Sequence, residues 1–133
     1  MNARDLMARA SARIGELRAQ ISLGRRGERA AEKYLRRSGY RIVARNFRAA
    51  GAEIDLVAMD GETLVFVEVK TRRSRDAGAP EEAVDERKQA QIRRAAEMFA
   101  TRYRAEDVTM RFDIVAVDAS SKRLKVEHLR NAF

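Results

Sequence analysis

Acidic residues and a lysine recur at short intervals between Glu53 and Lys70, inside two runs of apolar residues. Asp55 lies in the first run, and Glu68-Val69-Lys70 lies in the second. Side chains alternate between the two faces of an extended strand, so Glu68 and Lys70 share one face. Two acids gathered on one buried face repel each other unless a cation neutralises them. The spacing therefore predicts a site for a divalent cation.

The dipeptide Asp60-Gly61 between the two runs is typical of a tight hairpin turn. With a two-residue turn there, Asp55 lies opposite Phe66 and Glu53 lies opposite Glu68, so both acids share the face of Glu68. A three-residue loop would instead turn both acids to the other face. The predicted site thus depends on the register of this hairpin.

Oxygen ligands such as Asp55 and Glu68 suit a hard divalent cation, Mg²⁺ or Mn²⁺. Such a cation lowers the pKa of a coordinated water and polarises a phosphate. Lys70 would orient the attacking water, or help to deprotonate it, and offset negative charge at phosphorus. The pattern predicts a phosphodiester hydrolase that needs neither histidine nor cysteine. His128, the single histidine, is expected on an edge strand or at the surface.

A structural ion pair is the competing interpretation, joining Lys70 to Glu68 or to Asp55. Buried pairs of this kind stabilise a fold poorly in comparison with apolar packing. Glu86-Arg87-Lys88 repeats the Glu-x-Lys pattern, but residues two apart on a predicted helix point about 200° from each other. The strand setting of Glu68 and Lys70 therefore favours the metal site.

The composition is that of a single domain without covalent cross-links. The chain of 133 residues contains no cysteine, which excludes disulfides and thiolate zinc sites. No apolar run reaches the length of a membrane span, and the N-terminus lacks the apolar core of a secretory signal. These features predict a cytoplasmic protein with no membrane association.

Positive charge is concentrated ahead of the acidic cluster. The formal net charge is +8, and residues 1–52 hold 13 Lys or Arg against 4 Asp or Glu. This distribution predicts a polyanionic partner, because each Arg bound to a phosphate releases counterions. A role in solubility alone is the alternative. The arginines expected to contact nucleic acid are Arg25, Arg26, Arg45, Arg48, Arg72 and Arg73, the last two in a polar loop over residues 71–79 that also contains Arg75.

The apolar periodicity predicts an α/β fold. A helical extension over residues 1–20 precedes a single domain over residues 21–133. Within the domain we expect a helix from Leu23 to Ser38, a strand from Tyr40 to Phe47, the central hairpin, a long helix beginning at Pro80, and strands at Met110–Val117 and Leu124–Leu129. This order implies a mixed sheet with helices on its faces.

The chain resembles the YraN-like family of small bacterial proteins in four segments: GRRGERAAEKYLRRSGYRIVARNFR, GAEIDLVAMDGETLVFVEVKTRRS, EEAVDERKQAQIRRAA and RFDIVAV. The resemblance extends from about Gly24 to Val117, or as far as the HLRNAF ending, and does not include the first twenty residues. Asp55 followed by Glu68-Val69-Lys70 also resembles the PD-(D/E)XK nuclease superfamily, and the family is similar to archaeal Holliday-junction resolvases. One departure is Ala52, where glycine more often precedes Glu-Ile-Asp.

The resemblance implies a restriction-endonuclease-like core of order αβββαβ. It implies that Asp55 and Glu68 bind the metal together with the Val69 carbonyl, and that Lys70 assists the attacking water. It adds Glu28, because Gly27-Glu28 matches a helical Gly-Glu whose acid lies near the metal in related resolvases. Glu53, Lys88 and Gln91 are the candidate accessory residues, the last two because they match positions that carry polar residues in some members of the superfamily.

A metal-dependent endonuclease acting on DNA, including branched or structured DNA, is the expected function. A noncatalytic nucleic-acid-binding module in DNA repair or recombination, with the same fold, is the alternative. DNA is the expected substrate and RNA stays open, with phosphate contacts and no base-specific readout. A homodimer would suit junction resolution because two strands must be cut symmetrically, but no dimer face is evident in the sequence.

Overall fold

A computed structural model describes residues 1–74 and 78–133, so Arg75 of the predicted basic loop lies outside the described residues. The elements in chain order are α1 (Ala3–Arg37), β1 (Arg41–Ala49), β2 (Ala52–Asp60), β3 (Thr63–Arg72), a 3-10 helix (Pro80–Ala83), α2 (Glu86–Arg102), β4 (Met110–Asp118) and β5 (Lys125–Leu129). This is the predicted α/β order of a helix, three strands, a helix and two further strands.

The strands form one mixed sheet in the order β1-β2-β3-β4-β5. β3 and β4 run parallel, and α2 lies between them in the chain, while the other neighbouring pairs are antiparallel. α1 packs on one face of the sheet and α2 packs on the other. The predicted mixed sheet flanked by helices, consistent with a restriction-endonuclease-like core, is confirmed.

β3 is the central strand and is apolar on both faces. Val65 and Val67 pack with Leu35 of α1, whereas Phe66 packs with Phe99 of α2. A strand buried on both faces is expected to be a nearly continuous apolar run. Glu68 follows Phe66 by two residues and so lies on the same α2 face, at the point where the apolar core ends.

The β2–β3 hairpin differs from the predicted one in register. Its turn residues are Gly61 and Glu62, and Asp60 still pairs with Thr63. Gly61 has a φ of +59° and occupies the first central position of the turn, where a glycine is favoured in one of the two common hairpin turns. The glycine therefore starts the turn instead of ending it.

This turn moves the strand pairing by two residues. Val57 lies opposite Phe66, so the expectation that Asp55 lies opposite Phe66 and Glu53 opposite Glu68 is wrong. A shift by an even number preserves the face of every side chain. Asp55 consequently remains on the same face of the sheet as Glu68.

α1 is one helix of 35 residues and runs without interruption past residues 20 and 21. The two predicted helical segments are therefore continuous. Gly24 lies within α1, and a glycine inside a helix costs about 1 kcal/mol without necessarily ending it. Residues 1–22 are exposed, and the first buried residue of α1 is Gly27. The division into an extension and a domain stays a prediction.

α2 begins at Glu86 and not at Pro80. The segment Pro80–Ala83 forms a 3-10 turn, and Asp85 caps α2 by accepting a hydrogen bond of 2.8 Å from the Lys88 backbone N–H. Buried Val84 lies between the two helical segments, and the aspartate is a preferred N-cap residue. Among the described residues, no helix combines the length and apolarity that crossing a membrane requires.

Candidate active site

A backbone hydrogen bond holds Asp55 beside the Glu68-Val69-Lys70 segment. The Val69 N–H donates to Asp55 Oδ2 at 2.7 Å. Because this N–H lies between Glu68 and Lys70 in the chain, the bond brings the carboxylate of β2 next to both charged residues of β3. The hairpin thus gathers the predicted cluster, although in a different register from the predicted one.

Two ammonium groups approach one oxygen of Glu68. Glu68 is 7% exposed, and its Oε1 lies 3.3 Å from Lys70 Nζ and 2.7 Å from Lys88 Nζ. The ion pair between Glu68 and Lys70 that the structural interpretation requires is therefore present. Lys88, expected only as an accessory residue, makes the shorter contact, and it reaches Glu68 from the first turn of α2.

Burial and like charge raise the pKa of Asp55 to about 7. Burial is the largest cause, repulsion by Glu68 follows, and Glu28 and Glu53 add smaller contributions, while the Val69 N–H opposes them. A carboxyl group with such a raised pKa marks negative charge that its surroundings do not fully compensate. Perturbed carboxyl groups of this kind are frequent at functional sites.

The pKa values of the two lysines are shifted in opposite directions. Burial lowers the pKa of Lys70, and the neighbouring Lys88 lowers it further against the attraction of Glu68. Burial is also the largest single influence on the pKa of Lys88 and acts to lower it, but the hydrogen bonds to Glu68 and Lys70 and the attraction of Glu68 and Asp55 together outweigh burial, so the pKa of Lys88 is raised. Lys88 is therefore the firmly charged partner of Glu68, and Lys70 is the more readily deprotonated amine.

Gly27 brings α1 close to the end of β3 and so places Glu28 at the site. Gly27 is buried, and a Cβ there would overlap the hydroxyl of Thr71, the residue after Lys70. Only a glycine permits this helix to approach the strand so closely. Glu28 follows it in the chain, is half-buried, and lines the same groove as Asp55.

Asp55 lies where two grooves meet. The groove of about 460 Å³ on the α2 side is also lined by Glu53, Glu68, Lys88 and Gln91. The groove of about 280 Å³ on the α1 side is lined by Asp55 together with Arg25, Glu28, Arg29, Glu32, Arg45, Asn46 and Leu56. The cluster is therefore accessible from both sides of the sheet edge.

A family model described as Uncharacterised protein family UPF0102 matches residues 27–117. The chain belongs to the UPF0102 family. The match begins at Gly27 and includes Glu28, Asp55, Glu68 and Lys70. The predicted resemblance to the YraN-like family is confirmed, since the two names denote the same family.

Relatives in this family are similar over most of their length. The UPF0102 protein GSU0650 of Geobacter sulfurreducens is 52% identical over 112 residues, which are 84% of this chain and 88% of the relative. The UPF0102 protein of Geobacter metallireducens is 48% identical, over 84% of this chain and 92% of its own. The UPF0102 protein STH1475 of Symbiobacterium thermophilum is 48% identical, over 84% of this chain and 95% of the relative.

The arginines predicted to bind nucleic acid occupy different environments in this UPF0102 protein. Arg25 and Arg45 line the groove that contains Asp55, and Arg45 also forms an ion pair with Glu32. Arg48 donates to Glu53 at 3.1 Å. The remaining three lie apart from that groove: Arg26 lines other grooves along α1, Arg72 donates to the Gly78 carbonyl at 2.5 Å, and Arg73 is exposed.

A buried charged network that the sequence analysis missed lies on the α1 face of the sheet. Asp113 is 0% exposed and accepts from His128 Nε2 at 2.7 Å, Arg111 Nε at 2.9 Å and the Asn131 N–H at 2.9 Å. Burial acts to raise the pKa of Asp113, but these hydrogen bonds outweigh it and hold the pKa at about 2. His128 lies on the edge strand β5, one of its two expected positions, and its side chain is buried against Asp113.

The oxygen donors at the site suit Mg²⁺ or Mn²⁺. In residues 1–74 and 78–133, no three His, Asp or Glu side chains come together as a complete set of metal ligands. Magnesium sites commonly use only one or two carboxylates, with waters and substrate phosphate completing the shell. Asp55 and Glu68 meet this requirement, and the raised pKa of Asp55 is what a bound cation would relieve.

Proposed function

We propose that this UPF0102 protein is a Mg²⁺- or Mn²⁺-dependent endonuclease that hydrolyses phosphodiester bonds of DNA. The observation that carries the proposal is the juxtaposition of Asp55 with Glu68 and Lys70, fixed by the Val69 N–H. A structural ion pair needs only one acid and one base. Asp55 is a further acid beside that pair, and its pKa is raised to about 7, which a structural ion pair does not require.

Each residue of the cluster has a distinct role in this proposal. Asp55 and Glu68 would hold the cation together with the Val69 carbonyl. When bound, the cation supplies Lewis-acid polarisation of the phosphate and makes a water more acidic. Lys70, one-quarter exposed and with a lowered pKa, orients the attacking water and stabilises charge at phosphorus. Lys88 holds the Glu68 carboxylate in place, and Glu28 adds a third acid in the groove that also contains Asp55.

The grooves on either side of Asp55 support a polymeric substrate. A strand crossing the sheet edge would pass Gln91 on the α2 side and Arg25 on the α1 side. Arg25 would contact phosphate without reading sequence, as backbone contacts do. A branched substrate would suit a site that is accessible from two directions.

One observation favours the noncatalytic alternative. Lys70 and Lys88 already neutralise Glu68, and Lys88 Nζ lies 2.7 Å from its Oε1. An ammonium so close to one carboxylate oxygen competes with a divalent cation for the same charge. A module that binds nucleic acid and never cuts it would keep this arrangement unchanged.

Cleavage of labelled linear, flapped and four-way-junction DNA tests the proposal. Wild type, Lys70→Ala and Asp55→Asn are compared in Mg²⁺, in Mn²⁺ and in chelator, with Arg94→Ala as a control at an exposed position of α2. We expect cleavage that needs metal, is retained by the control and is lost in both site variants, with binding nearly unchanged in Lys70→Ala. Binding without cleavage under every metal condition would establish the noncatalytic alternative.

A parallel test examines the metal ligands without relying on activity. Wild type should gain thermal stability from Mn²⁺, and Asp55→Asn should lose that gain because it removes one anionic ligand. An equal gain in both proteins would show that the ion binds elsewhere.

A further inference from the structure

A further groove, which Asp55 does not line, lies between α1 and the segment that leads into β5. Its volume is about 500 Å³. Five of its lining residues are cationic and none is acidic: Arg26, Arg29, Lys33, Arg37 and Arg123. Tyr34, Leu124 and Val126 contribute apolar surface between them. We refer to this feature as the basic groove.

Helical spacing aligns four of these cations in a row. Residues 26, 29, 33 and 37 are three or four positions apart, which places them on one side of α1. At 1.5 Å per residue, the row extends roughly 16 Å along the helix axis. Arg123 faces the row from the opposite wall of the groove. A linear polyanion would therefore meet successive positive charges along its length.

The cations of the basic groove have no acidic partners within the described parts of the chain. None of the five side chains forms an ion pair there. Arginines nearby are different, since Arg36 and Arg45 both approach Glu32. Like charges gathered without partners destabilise a helix surface. A bound polyanion would relieve this repulsion, so the surface is suited to one.

Arg29 connects the basic groove to the candidate active site. It lines the basic groove, and it also lines the groove that contains Asp55 and Glu28. A strand with its scissile phosphate near Asp55 can therefore continue past Arg29 along the row towards Arg37. The basic groove is therefore continuous with the groove that contains Asp55.

We propose that the basic groove binds the phosphodiester backbone of the nucleic-acid strand that leads away from the site at Asp55. The cations would bind successive phosphates, and Tyr34 offers an aromatic edge beside them. Contacts of this kind set affinity and orientation but carry no sequence information. The inference uses the proposed function only in assuming a nucleic-acid substrate, because binding does not require cleavage.

The salt dependence of binding tests this inference. Affinity for a labelled DNA strand is measured in chelator from low to high salt for wild type and for Lys33→Gln/Arg37→Gln. The charge-matched control is Arg94→Gln/Arg104→Gln, at two exposed positions that line none of the grooves described above. Arg123→Gln alters the opposite wall of the groove, and thermal melting of every variant establishes that it is folded.

Lys33→Gln/Arg37→Gln should lose two phosphate contacts. The negative slope of log affinity against log salt should therefore become shallower by about 1.4 for a single strand. At 0.1 M salt this corresponds to roughly 25-fold weaker binding. The control should keep the wild-type slope, and Arg123→Gln should lose about half as much as the double variant. Equal slopes for the double variant and its control would overturn the inference.

Cleavage by the same proteins separates this inference from the proposed function. A reduced slope in a protein that never cleaves DNA would support the basic groove and refute the nuclease. Metal-dependent cleavage by wild type, with an unchanged slope in the double variant, would support the nuclease and refute the basic groove.

Discussion

Replacing Gly27 by alanine should destabilise the protein, whereas the same change three residues earlier should stabilise it. At Gly27 the new methyl group would overlap the Thr71 side chain, but at Gly24 no described atom lies within 4 Å of the Cβ position apart from the adjacent residues and the backbone of the same helix. Both glycines lie inside α1, so both substitutions gain the same helix propensity, about 0.5–1 kcal/mol. The difference between the two variants therefore isolates the cost of the overlap.

That cost should be about 1–3 kcal/mol, the usual range for inserting a methyl group into a packed contact. The overlap is with a β-branched side chain that has little room to rotate, so α1 itself must move. Denaturation in urea measures the difference, with equal m-values expected for the two variants. Thermal melting should give shifts of opposite sign, on the order of 4 °C per kcal/mol.

Thr71→Ala provides the internal check, because it removes the hydroxyl and the methyl group that the new Cβ would meet. In the double variant with Gly27→Ala, the cost of the alanine should fall, giving a measurable coupling between the two sites. Gly27→Ala alone should also slow cleavage, since α1 carries Glu28 towards Asp55. Equal stability of the Gly24 and Gly27 variants would refute the reasoning that close approach of α1 sets the position of Glu28.

Three further predictions concern charged groups. Asp113→Asn should lower the free energy of unfolding by about 3–5 kcal/mol because it disrupts a buried ion pair. Asp107→Asn is the control at an exposed position. Urea denaturation measures both variants, and an equal loss of stability in the two would contradict the prediction. The pKa of Asp55 is raised from 3.8 to about 7. Without metal, the stability that protonated Asp55 contributes should therefore be fully present below about pH 4 and be lost as the pH rises through 7. Asp55→Asn should flatten this part of the plot of stability against pH, and an unchanged plot would refute the shift. Lys88→Gln removes the ammonium nearest Glu68 and should increase the thermal stabilisation produced by Mn²⁺; a smaller stabilisation would show that Lys88 assists metal binding and does not compete with it.

The sequence was sufficient to predict the sheet, its flanking helices and the grouping of Asp55 with Glu68 and Lys70. The grouping survived an incorrect hairpin register because the error was two residues, and strand faces repeat every two residues. An error of one residue would have separated the acids. Local turn chemistry distinguished poorly between Asp60-Gly61 and Gly61-Glu62, since a glycine can occupy either central position of a hairpin turn.

The partners of a buried polar residue were harder to predict from the sequence than the face of the sheet on which that residue lies. Asp113 shares one face of β4 with Val115 and Val117, which are both buried. A carboxylate on the face of those two valines was a signal of the network that the sequence carried. Its partners His128 and Arg111 are drawn from β5 and from its own strand. A pairing between strands that are joined by a turn depends on register, and a histidine on an edge strand can face either solvent or the sheet.

Lys88 shows how a local interaction determines the composition of the site. With a helix beginning at Pro80, Lys88 would lie more than a turn further along the helix and have no defined relation to β3. The Asp85 cap starts α2 at Glu86, six residues later than Pro80, and the same carboxylate accepts from the Lys88 backbone N–H. Lys88 is thereby placed in the first turn, from which its ammonium reaches Glu68. The ion pair that bears most directly on metal binding therefore depends on the exact start of one helix, and helix starts are where sequence patterns are least definite.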